Sequence, residues 1–186
     1  MILKLFKLVK LLKIIIVNKT KFIIQKPLNK KYVIFDKVGS ENFIDLFEQS
    51  NTYILNTRFE SINIRVLIYC ILELDVSLLN YYSKYIEIIN PKIVITYIDN
   101  RILFYQLKKK INGHSIKFIS VQNGTRRSKN DIFDDLKNYK DLESDIYFVW
   151  GENIARELSK YIKSEYVMLG SYKNNKRKIL KSKKLK

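Results

Sequence analysis

The sequence predicts an α/β domain with a parallel sheet and helices on both faces, and three observations predict it. Lys92–Ile98 is a β-branched run and Ile116–Val121 reads as another buried strand, as in sheets covered on both faces. Between them lie segments whose apolar residues recur at helical spacing, and such alternation favours parallel strands joined by helical crossovers. The longer runs also end in polar or glycine residues, where the chain turns out of the sheet.

Ile2–Val17 is apolar but carries Lys4, Lys7, Lys10 and Lys13. On a helix these lysines sweep one half, and Leu5, Leu8, Val9 and Leu12 gather on the other. A basic amphipathic helix lying in a headgroup plane is expected. Four lysines make it a poor span, since each costs roughly 2.5–3.5 kcal/mol at mid-bilayer. Packing on the protein's own body is the alternative.

Lys31–Asp36 reads as a buried strand, broken at Gly39-Ser40. Ser40 is placed to cap a helix over Glu41–Gln49 with Phe43, Ile44 and Phe47 inward. Thr52–Leu55 is a second strand, Arg58–Glu60 the loop after it, and Ile62–Ile64 a short extended stretch. Val66–Leu72 is compatible with strand or helix. Asp75–Ile89 is a long helix capped by Asp75 and stopped by Asn90-Pro91. Strands over Lys92–Ile98 and Ile116–Val121 bracket a helix from Arg101 to Lys110. Thr125–Asn130 is a loop, and Asp131–Tyr139 a short helix. A strand at Asp145–Trp150, a helix to Ile162 and a strand at Glu165–Leu169 follow. The expected organisation is a leading helix and linker over 1–30, one α/β domain over 31–175 and a basic tail over 176–186.

The net charge of +17 resides at the two ends. Residues 1–31 hold nine lysines and no acid, and residues 171–186 hold eight basic residues and no acid. The other 18 basic residues balance all 18 acids. The body therefore offers no basic stripe that composition can show, and basic tails suit an anionic membrane surface at least as well as nucleic acid. The single cysteine, Cys70, excludes a disulfide framework and reads as a buried small hydrophobe. The lone His114 reads as a loop residue. No Walker A, G-x-S-x-G, G-x-G-x-x-G or metal-ligand cluster occurs.

In open α/β sheets, ligands bind beyond the carboxyl ends of the strands. That rule selects Asp36, Arg58, Glu60, Asp99, Asn100, Gln122, Asn123 and Gly124 as one prospective rim. Gly124 after a strand would allow close backbone approach, and Arg126 or Arg127, beyond Thr125, could fork onto a phosphate or carboxylate. Glu60 is a candidate general base for a sugar hydroxyl, with Asp99 as a second. The competing reading is ordinary: polar strand ends, a tight turn, and Glu60 paired with Arg58 or solvent.

Asn90–Asn100, Phe118–Gly124, Tyr147–Gly151 and Leu169–Asn175, with Val33–Lys37 and Arg58–Glu60, resemble segments of bacterial surface-carbohydrate biosynthesis transferases. The resemblance covers residues 31–175. It implies a Rossmann-like domain of GT-B type, the half that holds the acceptor in a two-domain glycosyltransferase. It implies inverting, metal-independent transfer with no cofactor besides a nucleotide-activated sugar held by a second domain. It also implies a lipid-linked or glycan acceptor and a cytoplasmic place, peripheral on the inner membrane face. The resemblance stops near Asn175, so the donor-binding domain is expected from elsewhere. The alternative readings are a non-catalytic membrane-surface adaptor and a nucleic-acid binder working through its lysine tails.

Overall fold

Six of the apolar runs become neighbouring parallel strands. The computed structural model describes Val17 and residues 19–111, 115–127 and 131–175. The strands in chain order are β1 Lys21–Ile23, β2 Tyr32–Phe35, β3 Thr52–Leu55, β4 Ser61–Asn63, β5 Ile93–Thr96, β6 Lys117–Val121, β7 Leu142–Val149 and β8 Ile162–Met168. The helices are α1 Ile64–Leu72, α2 Leu78–Ile89, α3 Ile102–Lys110, α4 Ile132–Leu136, α5 Glu152–Leu158 and α6 Tyr172–Asn175. The main sheet has the order β3-β2-β5-β6-β7-β8, with each neighbouring pair parallel. This is the expected Rossmann-like α/β arrangement.

Period-two alternation divides the core between the two faces. Val33, Phe35, Val94, Phe118, Tyr147 and Val149 face the larger side, packed with α1 to α5. Ile34, Ile95, Tyr97 and Val121 face the other, where Phe43 buries and Phe47 and Tyr172 pack against them. The first side holds 25 of the buried core residues and the second five. Cys70 lies buried and free on the larger side, where burial pushes its thiol up.

The segment expected as a helix over Glu41–Gln49 folds differently. It contains two 3-10 turns, Ser40–Asn42 and Gln49–Asn51. Gly39 enters at φ 84, and Asn42 donates its side-chain amide back to the Gly39 carbonyl at 3.0 Å, a local bond that competes with helix propagation. A methyl group on Gly39 would stand 3.1 Å from Tyr97 Cδ1, so both the turn and the close approach require glycine. Ser77, not Asp75, caps α2, and Asn90 ends that helix in the left-handed conformation. Val66–Leu72 resolves as helix, with Asn63 capping its first turn.

The helix expected to reach Ile162 ends at Leu158, because Ile162 and its neighbours pair with β7. Part of the presumed linker is strand. β1 pairs parallel with β4 and anchors beside the loop after β3, where Lys21 N–H donates to Glu60 O at 3.0 Å and Thr20 Oγ1 to Phe59 O at 2.6 Å. The expected leading helix Ile2–Val17, except Val17, and the basic tail and His114 lie outside the described residues.

Candidate functional site: the carboxyl rim of the sheet

The sheet reverses its winding between β2 and β5. The chain leaves β2 for β3 on one side and later enters β5 on the other. The register holds the strand ends level, with Ile34 opposite Ile95, Phe35 opposite Leu55 and Thr96 opposite Ser120. The residues after each strand therefore share one edge, and the crevice between β2 and β5 is its switch point. Asp36, Asp99 and Gln122 all stand on that edge.

Two carboxylate centres occupy it. Asp36, fully buried at φ 89, leaves β2 through a turn in which Val38 N–H donates to its Oδ1 at 2.9 Å. Arg58 Nε donates to Asp36 Oδ2 at 3.1 Å, and Arg101 Nη1 to the same oxygen at 3.3 Å. Arg101 also donates through Nη2 to Thr57 O at 3.0 Å. The Arg58 side chain is 46% exposed and that of Arg101 27%, so this centre opens to solvent. Glu60 accepts the Arg58 backbone N–H at 2.8 Å, while the Arg58 guanidinium turns to Asp36.

Asp99 forms the second centre and is enclosed. Its carboxylate is paired with Arg126 Nη2 and accepts from Tyr147 Oη at 2.6 Å and from Asn123 N at 3.3 Å. Its carbonyl accepts from Tyr105 Oη at 2.7 Å, a hydroxyl that also bonds Ser120 Oγ at 3.0 Å. The Arg126 side chain is 6% exposed. Burial pushes the Asp99 carboxyl up, against the pull of Arg126. Burial opposes the Arg126 charge too, but Asp99 outweighs it and the guanidinium is held well above its ordinary value. Burial, then Asp99, drives the Tyr147 phenol far above its usual range.

The remaining predicted residues separate into bonded and open groups. Gln122 is buried and bonded through both side-chain heteroatoms: its Oε1 accepts Trp150 N–H at 2.8 Å, and its Nε2 donates to Gly124 O at 2.7 Å. It locks the ends of β6 and β7 together. Thr125 and Arg127 are exposed, the latter donating its backbone N–H to Asp131 Oδ2. Asn100 is exposed at the mouth of the switch point. Gly124 has open space where a side chain would stand, so no neighbour dictates glycine there.

Sequence reasoning missed Arg101, Thr57, Tyr105 and Tyr147. Arg101 directly follows Asp99-Asn100, so the strand-end rule reaches it, but helical spacing assigns it to the start of the next helix. The two tyrosines sit in apolar runs, and a hydroxyl that needs a partner inside a core was the available signal. Among the described residues, three buried side-chain atoms have no hydrogen-bond partner: Thr57 Oγ1, Arg126 Nε and Trp150 Nε1. They follow β3, β6 and β7, and thus all three belong to this edge.

A shallow concavity of about 440 Å³ lies at the opposite edge, lined by Asp141–Glu143 and Ser159–Ser164 where β7 and β8 begin. None of the predicted rim residues lines it.

Residues 119–186 match the model of a family described as "putative O-antigen biosynthesis protein". The matched stretch contains most of β6, the Gln122–Arg127 turn, β7 and β8. The match supports a role in surface-polysaccharide biosynthesis. No curated protein and no solved structure matches the chain. No helix among the described residues is long and apolar enough to cross a membrane.

Proposed function

We propose that this chain is the acceptor-side, GT-B-like domain of a glycosyltransferase in surface-polysaccharide biosynthesis, working at the inner face of the cytoplasmic membrane. The observation that carries the reading is the concentration of unpaired buried polar atoms on the carboxyl rim. Buried polar groups are ordinarily hydrogen-bonded, and each exception calls for a cause. Three on one edge, two of them within the stretch that matches an O-antigen family, suit a polar ligand such as a saccharide acceptor.

In this reading Arg58 and Arg101 orient the acceptor through their half-open guanidinium groups, and Glu60 takes the proton from its attacking hydroxyl. Asn100 and Asn123 supply further hydrogen bonds. Asp99, with every oxygen engaged, positions Arg126 and the β6 turn and does not touch the acceptor. Arg127 and Thr125 contribute from the outer lip. A separate domain holds the nucleotide-activated sugar, so no resident cofactor is required. The basic, apolar leading residues suit a position beside lipid-linked acceptors.

The test combines labelled sugar nucleotides, a lipid-linked acceptor and a donor-binding domain supplied in trans. Transfer is expected only when that domain is present, and Glu60→Gln should lower it by about 10²–10⁴-fold, the usual worth of a general base. Turnover by the chain alone contradicts the acceptor-half assignment. No transfer with the donor domain present defeats the transferase reading.

A further inference from the structure

The rim leaves one large surface unused. α1 has the sequence IRVLIYCIL, with Arg65 as its one charged residue. Only Val66 and Cys70 turn inward to burial. Ile68, Tyr69, Ile71 and Leu72 point to solvent, Leu72 at 74% exposure, and the chain continues through exposed Leu74, Val76 and Leu78. Leu74 is 94% exposed and stands at φ 56, a left-handed turn that β-carbon-bearing residues rarely adopt. The surface extends onto β1. Arg65 Nε donates to Ile24 O at 2.8 Å and Asn63 Nδ2 to Gln25 O at 2.8 Å, which ties exposed Phe22 and Ile24 to the first turn of α1. Monomeric proteins rarely leave so many large apolar side chains together in water.

Among the described residues, the charges bordering the patch outside ion pairs are basic. Lys19, Lys21, Lys26 and Arg65 are exposed along its β1 side. The acids in the α1–α2 loop are engaged: Glu73 pairs with Lys84 at 2.8 Å, and Asp75 with Lys110 at 3.6 Å. An apolar face bordered by exposed lysines matches the interface of an anionic bilayer. It fits a protein partner less well, because protein interfaces are depleted in lysine. Nine residues of helix span about 14 Å, so α1 lies in the headgroup plane and cannot cross.

We propose that the outer face of α1, with the α1–α2 loop and β1, seats the protein on an anionic lipid bilayer. The surface acts as a folded anchor in a chain whose leading residues 1–17 are themselves basic and apolar in sequence. It rests on the membrane-face reading above and gives it a location. Phe59 and Glu60 hold β1 through the Thr20 and Lys21 hydrogen bonds. The docking surface and the open Asp36 centre therefore share the loop after β3, and the bilayer lies alongside the mouth of the rim.

Flotation of the full chain with phosphatidylglycerol vesicles and with neutral phosphatidylcholine vesicles tests this. Wild type should float with the anionic vesicles and far less with the neutral ones. The double variant Leu72→Glu/Leu74→Glu, at two of the most exposed positions, should lose more than about tenfold in partitioning while its melting temperature in lipid-free buffer is unchanged. The proposal is overturned by a double variant that floats like wild type, by a wild type that ignores vesicles, or by equal binding to neutral lipid. A wild-type dimer that the variant converts to monomer gives the face to a second copy. A variant that melts several degrees lower without lipid gives it to the chain's own leading residues. Either result overturns the lipid assignment. Flotation requires no turnover, so a vesicle-bound chain inactive with a donor domain defeats the transferase reading alone.

Discussion

Asp36 and Asp99 follow adjacent parallel strands, both are fully buried, and each binds an arginine brought from a later loop. Their surroundings differ. Asp99 has one arginine, two tyrosine hydroxyls around it and a backbone N–H, and its cation is almost entirely enclosed. Asp36 has two arginines, both partly in water, and an orphan threonine hydroxyl close by. An enclosed ion pair rigidifies its neighbourhood even with Arg126 Nε left without a partner, because breaking it strands a charge in low dielectric. A pair with half-exposed cations contributes little to stability, and its donors can be redirected toward a ligand. The same two residue types thus make a clamp at one strand end and a prospective binding surface at the next.

The sharpest way to break this comparison is to remove each carboxylate in turn. Asp99→Ala leaves Arg126 charged and enclosed with only Asp131, at 4.0 Å, as a carboxylate partner, and about 3–5 kcal/mol of stability should be lost. Asp36→Ala frees arginines that can swing into water, and its cost should stay near 1–2 kcal/mol, mostly from the lost turn and the positive φ. Urea unfolding of both variants checks the ordering. Equal losses would mean that the two centres do the same structural work.

Alkaline pH sharpens the contrast further. Burial pushes Tyr81 up to about 12, and it raises Tyr82, Tyr85, Tyr105, Tyr147 and Tyr166 further. In the unfolded chain these phenols ionise near pH 10. Their folded values are raised, so the stability they contribute is complete below about pH 10 and is lost as the pH climbs through the folded values. Thermal unfolding should be flat from pH 8 to 9.5 and fall steeply by pH 12. Tyr147→Phe should cost about 1–3 kcal/mol at neutral pH by leaving Asp99 one donor short, and should make the alkaline fall shallower. Tyrosine absorbance at 295 nm followed along the same titration shows whether ionisation and unfolding coincide.

The sheet was legible because its strands are buried on both faces and carry no competing period. Ile93–Thr96 and Lys117–Val121 lie inside the runs the composition selects, and Thr52–Leu55 coincides with its expectation. The rim followed from a topological rule, which needs no side-chain detail. Tertiary contacts decided the rest. Phe43, Ile44 and Phe47 have helical spacing, but Phe43 is drawn under the sheet against Tyr97 and Tyr172, and Asn42 closes on its own backbone. β1 escaped notice because three residues gain strand geometry only from β4, forty positions away. The sequence could nominate Asp36 and Asp99 together, yet only packing separates them. Burial, the arginine count and the tyrosine hydroxyls belong to the assembled structure.

The smallest stability effect is expected where the functional effect is concentrated. Arg101 leaves its side chain 27% exposed and shares Asp36 with Arg58, so Arg101→Ala leaves the carboxylate one partner and water. Less than about 1 kcal/mol of stability should be lost, as for other exposed pairs. Its guanidinium nevertheless joins Asp36 to the loop after β3 through Thr57 O and stands at the crevice where the winding reverses. If that crevice holds the acceptor, removing one charge-assisted donor should weaken acceptor binding by about tenfold or more. Arg101→Lys should recover only part of it, because a point charge cannot reach two acceptors in one plane. Titration of lipid-linked saccharide beside urea unfolding of the same samples separates the two effects. A variant that loses stability in step with affinity would place Arg101 with Arg126, as a second clamp.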